Sequence, residues 1–157
     1  MKNLNEVLNG EDLNFDGIES SFFLLGLISA FENRYQAKAD AFFEDISWKQ
    51  FFAIICINLC KESPTIKDIA AIMGSSHQNV KQILIKLEKR GYVEIVSDDK
   101  DKRKQRVVLT EKTLKLCAEK DMASKEVVGR IFSGVDEDEI KTVIKVLLKL
   151  EDNLKQI

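Results

Sequence analysis

Between Ser75 and Gln82 the chain reads Ser-Ser-His-Gln-Asn-Val-Lys-Gln, a run dense in side chains that recognise nucleic acid. Gln78, Asn79 and Gln82 can donate and accept hydrogen bonds at once, as an adenine edge requires. Lys81 can reach guanine, and Ser75, Ser76 and His77 can hold phosphate oxygens. Further on, Lys100, Lys102, Arg103 and Lys104 crowd one short turn. That density of positive charge suits phosphates or a minor groove narrowed by A·T pairs. The rival reading of the first run is a solvated polar face on a hairpin of helices that only holds the fold together.

Two helices and a β-hairpin must position these groups. Thr65 can cap a first helix, with Asp68 three residues on. Ile66, Ile69, Ala70 and Met73 then recur at helical spacing. Gly74 ends that helix, and Ser75 or Ser76 caps the next, whose apolar positions Val80, Ile83, Leu84 and Leu87 share one face. Ala70 is small where the two helices must cross. The polar run occupies the opposite face in the first two turns, as in the recognition helix of a helix-turn-helix. Gly91 stops this helix after Lys86, Lys89 and Arg90. Residues 92–96 and 105–109 read as strands and 97–104 as the charged turn between them. A helix-turn-helix followed at once by such a hairpin is a winged helix.

The outer segments carry other patterns. Residues 1–14 read as a loose arm. Residues 17–43 read as a long helix with the stripe Ile18, Phe22, Leu25, Ile28, Phe31 and Tyr35. Residues 47–59 form a second, central helix, with Ser47 and Gln50 in capping-box positions. A turn at 61–64 leads into 65–66, a candidate third short strand. Thr110 caps a helix to about residue 132, with Leu114, Cys117, Val127, Val128 and Ile131 apolar. Asp136 and Glu139 open a last helix whose acids come first and lysines later, matching the helix dipole. Its seam of Ile140, Val143, Ile144, Leu147, Leu150 and Leu154 has to be buried. A second subunit is the economical partner. The broad stripe of the first helix poses the same choice between a neighbour in its own chain and a second subunit.

Composition bounds the chemistry. Of 157 residues, 45% are hydrophobic and 32% charged, ordinary for one soluble domain. The net charge is −2, yet residues 65–109 hold ten lysines and arginines against six acids, so the remainder is strongly acidic. A basic reading segment on an acidic body orients a protein on DNA. With one histidine and no phosphate loop or dinucleotide fingerprint, the chain offers neither a catalytic triad nor a histidine metal cluster. No enzymatic activity and no cofactor are expected. Asp98 and Asp99, set among lysines, read as a solvated charge mixture. Cys56, Cys60 and Cys117 make no disulfide framework. They read as small buried hydrophobes rather than a thiol switch. The polar N-terminus and the lack of an eighteen-residue apolar stretch predict no membrane span and a cytoplasmic protein.

Residues 87–93, Leu-Glu-Lys-Arg-Gly-Tyr-Val, then Asp98, Asp101-Lys102-Arg103 and Val107-Val108-Leu109-Thr110 fall without a gap on the pattern L-E-K-x-G-L-V-x-R-x-x-D-x-x-D-R-R-x-x-x-V-x-L-T. In this the chain resembles the MarR (multiple antibiotic resistance regulator) family of bacterial transcription factors, well over 46–110 and loosely elsewhere. The resemblance implies a mainly α fold with a small β-hairpin wing (α+β). It implies a single domain over 1–157, with a winged helix-turn-helix at 46–110 flanked by dimerisation helices at 15–45 and 111–157. It also implies a homodimer, most often a repressor, on a near-palindromic double-stranded DNA operator with half-sites about 34 Å apart. Such repressors release DNA when a small, often phenolic or lipophilic, effector enters between the dimer helices and the reading part.

The family's wing arginine maps onto Arg103, which would enter the minor groove with Lys102 and Lys104 beside it. Asp101 maps onto the acid that steadies that arginine through a charge-assisted hydrogen bond. There are departures. Lys102 replaces an arginine, and Ile95 and Val96 stand where relatives often have arginines, which predicts fewer backbone contacts from this wing. Thr113 stands where a glycine is usual. Phe22, Phe23, Phe51 and Phe52 are candidates to line an effector cavity, with a filled core as the alternative. The competing function is a protein-interaction module that keeps the winged helix without binding DNA. The polar run 78–82 speaks against it.

Overall fold

Four of the helices open on a side chain that caps them. Ser47, Thr65 and Asp136 each form a complete capping box, with Gln50, Asp68 and Glu139 returning a bond to the cap's own N–H. Ser76 accepts from the N–H of Asn79 at 3.2 Å. These caps satisfy the orphan N–H groups of a first helical turn. They set element starts that the sequence alone located. The computed structural model describes residues 17–98 and 101–157. The arm at 1–14 and the turn residues Asp99 and Lys100 lie outside them.

Among the described residues there are six helices and one hairpin: α1 Ser20–Phe42, α2 Trp48–Asn58, α3 Ile66–Ile72, α4 His77–Lys89, β1 Val93–Ser97, β2 Gln105–Leu109, α5 Glu111–Ile131 and α6 Glu137–Leu154. The strands pair antiparallel, with Val93 opposite Leu109 and Ile95 opposite Val107. The expected third strand shrinks to one bridge between Thr65 and Arg106. Pro64 offers its carbonyl to the Val107 N–H at 2.9 Å, and the chain then turns directly into α3. Helix α1 starts at Ser20 rather than at Gly17, because Gly17 takes a positive φ and Glu19 is extended without capping through its side chain.

The core sits where α2, α3, α4 and the hairpin meet. Ile54, Ile69, Val80, Leu84, Leu87, Val93 and Val107 are fully buried there. Each such side chain contributes about 1.5–3 kcal/mol through its removal from water. Ala70 is buried between α3 and α4, as a close crossing requires. Gly74 (φ +60°) and Gly91 (φ +75°) supply the left-handed turns that end α3 and α4.

Helices α1, α5 and α6 lie outside this core. Every buried residue among those described falls between 43 and 113. The last helix buries none, and Val143, Leu147 and Leu148 all face solvent in the isolated protomer. Phe22, expected on a packed stripe, is 69% exposed. Helix α1 joins the core at its C-terminal end. There Asp40 accepts the Trp48 N–H at 2.5 Å, Tyr35 meets Trp48 edge-on, and Phe43 packs on Phe51 at 4.3 Å between ring centroids.

Candidate nucleic-acid interface

Helix α4, the candidate recognition helix, buries Val80, Ile83, Leu84 and Leu87 and so turns Gln78, Lys81 and Gln82 outward. His77 opens the helix and is exposed beside them. Ser75, Ser76 and Asn79 are partly committed to holding the helix start. Ser76 caps the Asn79 N–H, and the Asn79 amide donates to the Ser75 hydroxyl at 2.9 Å. Asn79 therefore stiffens the turn, while Gln78, Lys81 and Gln82 are the extended polar groups of this face.

The wing turn is built by its acids. Asp98 accepts the Asp101 N–H at 2.8 Å, and Asp101 accepts both the N–H and the Nε–H of Arg103 at 3.2 Å. Arg103 is thus aimed by Asp101 while remaining 92% exposed. The pairing holds the guanidinium direction at small energetic gain, as expected of an exposed ion pair. Lys102 and Lys104 are exposed on either side.

Asp98 departs from expectation. It is buried rather than solvated, and it accepts the Arg106 Nε–H at 2.6 Å. Arg106 also donates through Nη1 to the Ser63 carbonyl at 2.7 Å. One arginine therefore ties the wing base to the connection that leads into α3. The hydrogen bond that Arg106 donates to the Asp98 carboxylate raises the Arg106 pKa above its usual value, so the guanidinium stays charged. Nothing in the residue types around Asp98 gives this pairing. It follows from hairpin register, which brings positions 98 and 106 to the base of the same turn.

Between α4 and the wing runs an open groove of about 360 Å³ lined by Thr65, Lys67, His77, Lys81, Arg103, Lys104 and Gln105. The two clusters that are far apart in sequence converge here. Thr65, Lys67 and Gln105 join them unannounced. A lysine at the second position of α3 has no motif to mark it, and only the packing of α3 beside the wing brings it to this groove.

Away from this groove, a cavity of about 210 Å³ lies between α1, α2 and α5, walled by Tyr35, Phe42, Phe43, Trp48, Phe51, Val127 and Ile131 among others. Of the four phenylalanines considered for such a cavity, Phe51 is on its wall. Phe22 faces solvent and Phe52 packs on the core and stacks on Trp48. The cysteines are free. Burial pushes the Cys56 and Cys117 thiols upward, away from the thiolate that redox chemistry uses. Among the described residues no cluster of three or more His, Cys, Asp or Glu could hold a metal ion. No helix there is long and apolar enough to cross a membrane.

Known proteins share this fold. Residues 55–104 match the model of the MarR family. A MarR/EmrR family transcriptional regulator from Acinetobacter sp. ADP1 superimposes with a TM-score of 0.79 at 20% identity, over 89% of this chain and all of that one. MepR of S. aureus, solved in complex with DNA, gives 0.72 at 22% identity, over 87% of this chain and 98% of that one. BpsR of Bordetella bronchiseptica, described with the regulation of its DNA binding by 6-hydroxynicotinic acid, gives 0.72 at 17%, over 90% and 99%. Over residues 55–104 the chain matches the MarR family in sequence, and its fold throughout is the winged-helix fold of these regulators.

Proposed function

We propose that the protein is a transcriptional regulator that binds double-stranded DNA sequence-specifically as a homodimer and represses the genes it controls. The observation that carries this reading is the convergence of Lys67, His77, Lys81, Arg103 and Lys104 on one groove between recognition helix and wing. A scaffold for protein contacts has no need of cations from three elements on one face. In mechanism, Gln78, Lys81 and Gln82 meet base edges in the major groove, and Asn79 does so from the helix start. Ser75, Ser76 and His77 hold phosphates. Arg103, aimed by Asp101, enters the minor groove with Lys102 and Lys104 beside it.

The dimer is supported by α1, α5 and α6, most of whose large apolar side chains stay exposed within one protomer. Two copies related by a two-fold axis bury one such surface against itself, and the paired recognition helices then read a near-palindrome. Release by a small effector is supported by the cavity between α1, α2 and α5. Its walls are mainly aromatic and aliphatic with Lys38 among them, and Arg34 and Arg130 line a second hollow that shares Tyr35, Lys38, Val127 and Ile131 with it. That chemistry suits a small aromatic acid, held by its ring in the cavity and by its charge near these cations. Such a ligand shifts the dimer toward a half-site spacing that the operator cannot match.

The test is selection of duplexes from a random pool by the purified protein. A two-fold symmetric motif with half-sites about one helical turn apart is the expected result. Enrichment of no motif, with equal weak binding to all duplexes, overturns the reading.

A further inference from the structure

Thr113 departs from the glycine that the family resemblance would place there, and the structure gives it a task. It is fully buried at the third position of α5, and its hydroxyl donates to the carbonyl of Tyr92. It does not act alone. Thr110 occupies the cap position of α5 by backbone, but its hydroxyl makes no cap bond. It donates instead to the Gly91 carbonyl at 2.7 Å, while the Thr110 N–H donates to Tyr92 at 3.2 Å. Lys112 donates through Nζ to the Arg90 carbonyl at 2.8 Å, its ammonium 4.3 Å from the centre of the Tyr92 ring.

These donors therefore land on the carbonyls of three successive residues, 90, 91 and 92. Those residues form the C-terminal exit of the recognition helix. The helix's own last carbonyls are already used there, Leu87 by the N–H of Tyr92 and Glu88 by that of Gly91. The carbonyls of 90–92 are left for a partner, and the start of α5 supplies it. Beyond this joint, Leu116 and Cys117 pack on the core and Lys120 lies over Phe42. The rest of α5 runs out among exposed side chains.

We propose that Thr110, Lys112 and Thr113 are positioning residues that fix the recognition helix to the dimer helices and so set the half-site spacing the protein accepts. The inference rests on the DNA-binding dimer proposed above. Helix α5 is a lever about 30 Å long, so a few degrees of play at its start displace its far end by about 2–3 Å. A hydroxyl bond from a buried threonine removes that play. A glycine at the same position has no side chain with which to do so.

The test uses the full chain and the operator selected by it, with half-site spacing varied by one base pair in either direction. The wild type is expected to lose about tenfold or more in affinity on the altered spacings. Thr113→Val keeps the shape and removes the hydroxyl. It should bind a single half-site as the wild type does and melt within a few degrees of it, but discriminate spacings less than threefold. Thr113→Ser restores the hydroxyl and should restore the discrimination. Thr113→Gly should behave as Thr113→Val, which keeps the test available if valine disturbs the core. Unchanged spacing discrimination in folded Thr113→Val and Thr113→Gly overturns the proposal. So does an equal loss on single half-sites and on all spacings, which marks a merely structural role. If the wild type selects no operator at all, the DNA reading itself has failed, before any variant is compared.

Discussion

The winged-helix lobe and the helices around it solve burial in opposite ways. From Phe43 to Leu109 the chain makes its own core. Among its large apolar residues only Leu59, Ile72, Ile85 and Val96 are left substantially exposed. In α1, α5 and α6 the position is reversed, with Phe22, Leu25, Phe31, Met122, Val128, Val143 and Leu148 all facing solvent and Thr113 alone buried. A lone protomer cannot hold so much apolar surface in water without cost, since large apolar patches mark interaction surfaces. One region buries its apolar residues within a single chain, and the other leaves an apolar surface that the proposed dimer would cover. In the proposed reading the lobe carries the DNA contacts, and the outer helices set how two lobes are spaced.

The sharpest way to break this contrast is to make the outer surface polar. Val143→Asp with Leu147→Asp should leave a monomer by light scattering while the lobe keeps its cooperative melt. Operator affinity should fall by about 10²–10⁴ as the second half-site is lost. Next in size is an injury to the lobe itself. Leu87→Ala opens a cavity under α4 and should cost about 2–5 kcal/mol in urea unfolding, with the dimer surface untouched.

Arg103→Ala separates reading from folding. Operator affinity should weaken by about 1–3 kcal/mol with the melting temperature unchanged. Equal affinity at physiological salt would remove Arg103 from the interface. The smallest effect concerns the cap of α3. Hydrogen bonds from the Thr65 N–H and hydroxyl lower the Asp68 pKa, so its carboxylate stabilises the fold above the usual carboxylate range. That contribution is lost as the pH falls through the lowered native value. Asp68→Ala should be less stable by about 0.3–1 kcal/mol at neutral pH. The gap should close in acid, as unfolding curves on a pH series will register.

Much of the lobe was legible because its signals are local. Ser47–Gln50, Thr65–Asp68 and Asp136–Glu139 are three-residue spacings whose bonds form within one helical turn. Val80, Ile83, Leu84 and Leu87 mark a face by period alone. The groove residues on α4 and the wing were named by type. What escaped depends on pairing between distant positions. Asp98 reads as solvated until hairpin register sets it against Arg106, and Lys67 is anonymous until α3 packs beside the wing. Thr113 could be read only as a missing glycine, because its partner lies 21 residues back at the exit of α4. Phe22 and its neighbours on α1 could not be apportioned between core and partner, since a helical stripe looks alike in both settings.

The measurement that bears most directly on the central claim is fluorescence anisotropy of the purified protein on DNA from upstream of its own gene, against a scrambled duplex, over a salt series. A sequence-specific regulator should bind the first duplex tightly and the scrambled one weakly. Its log–log salt slope should be several units, as counterions leave the phosphates met by the groove cations. Weak and equal binding to both duplexes, followed by a random-pool selection that yields no motif, would contradict DNA recognition by this groove.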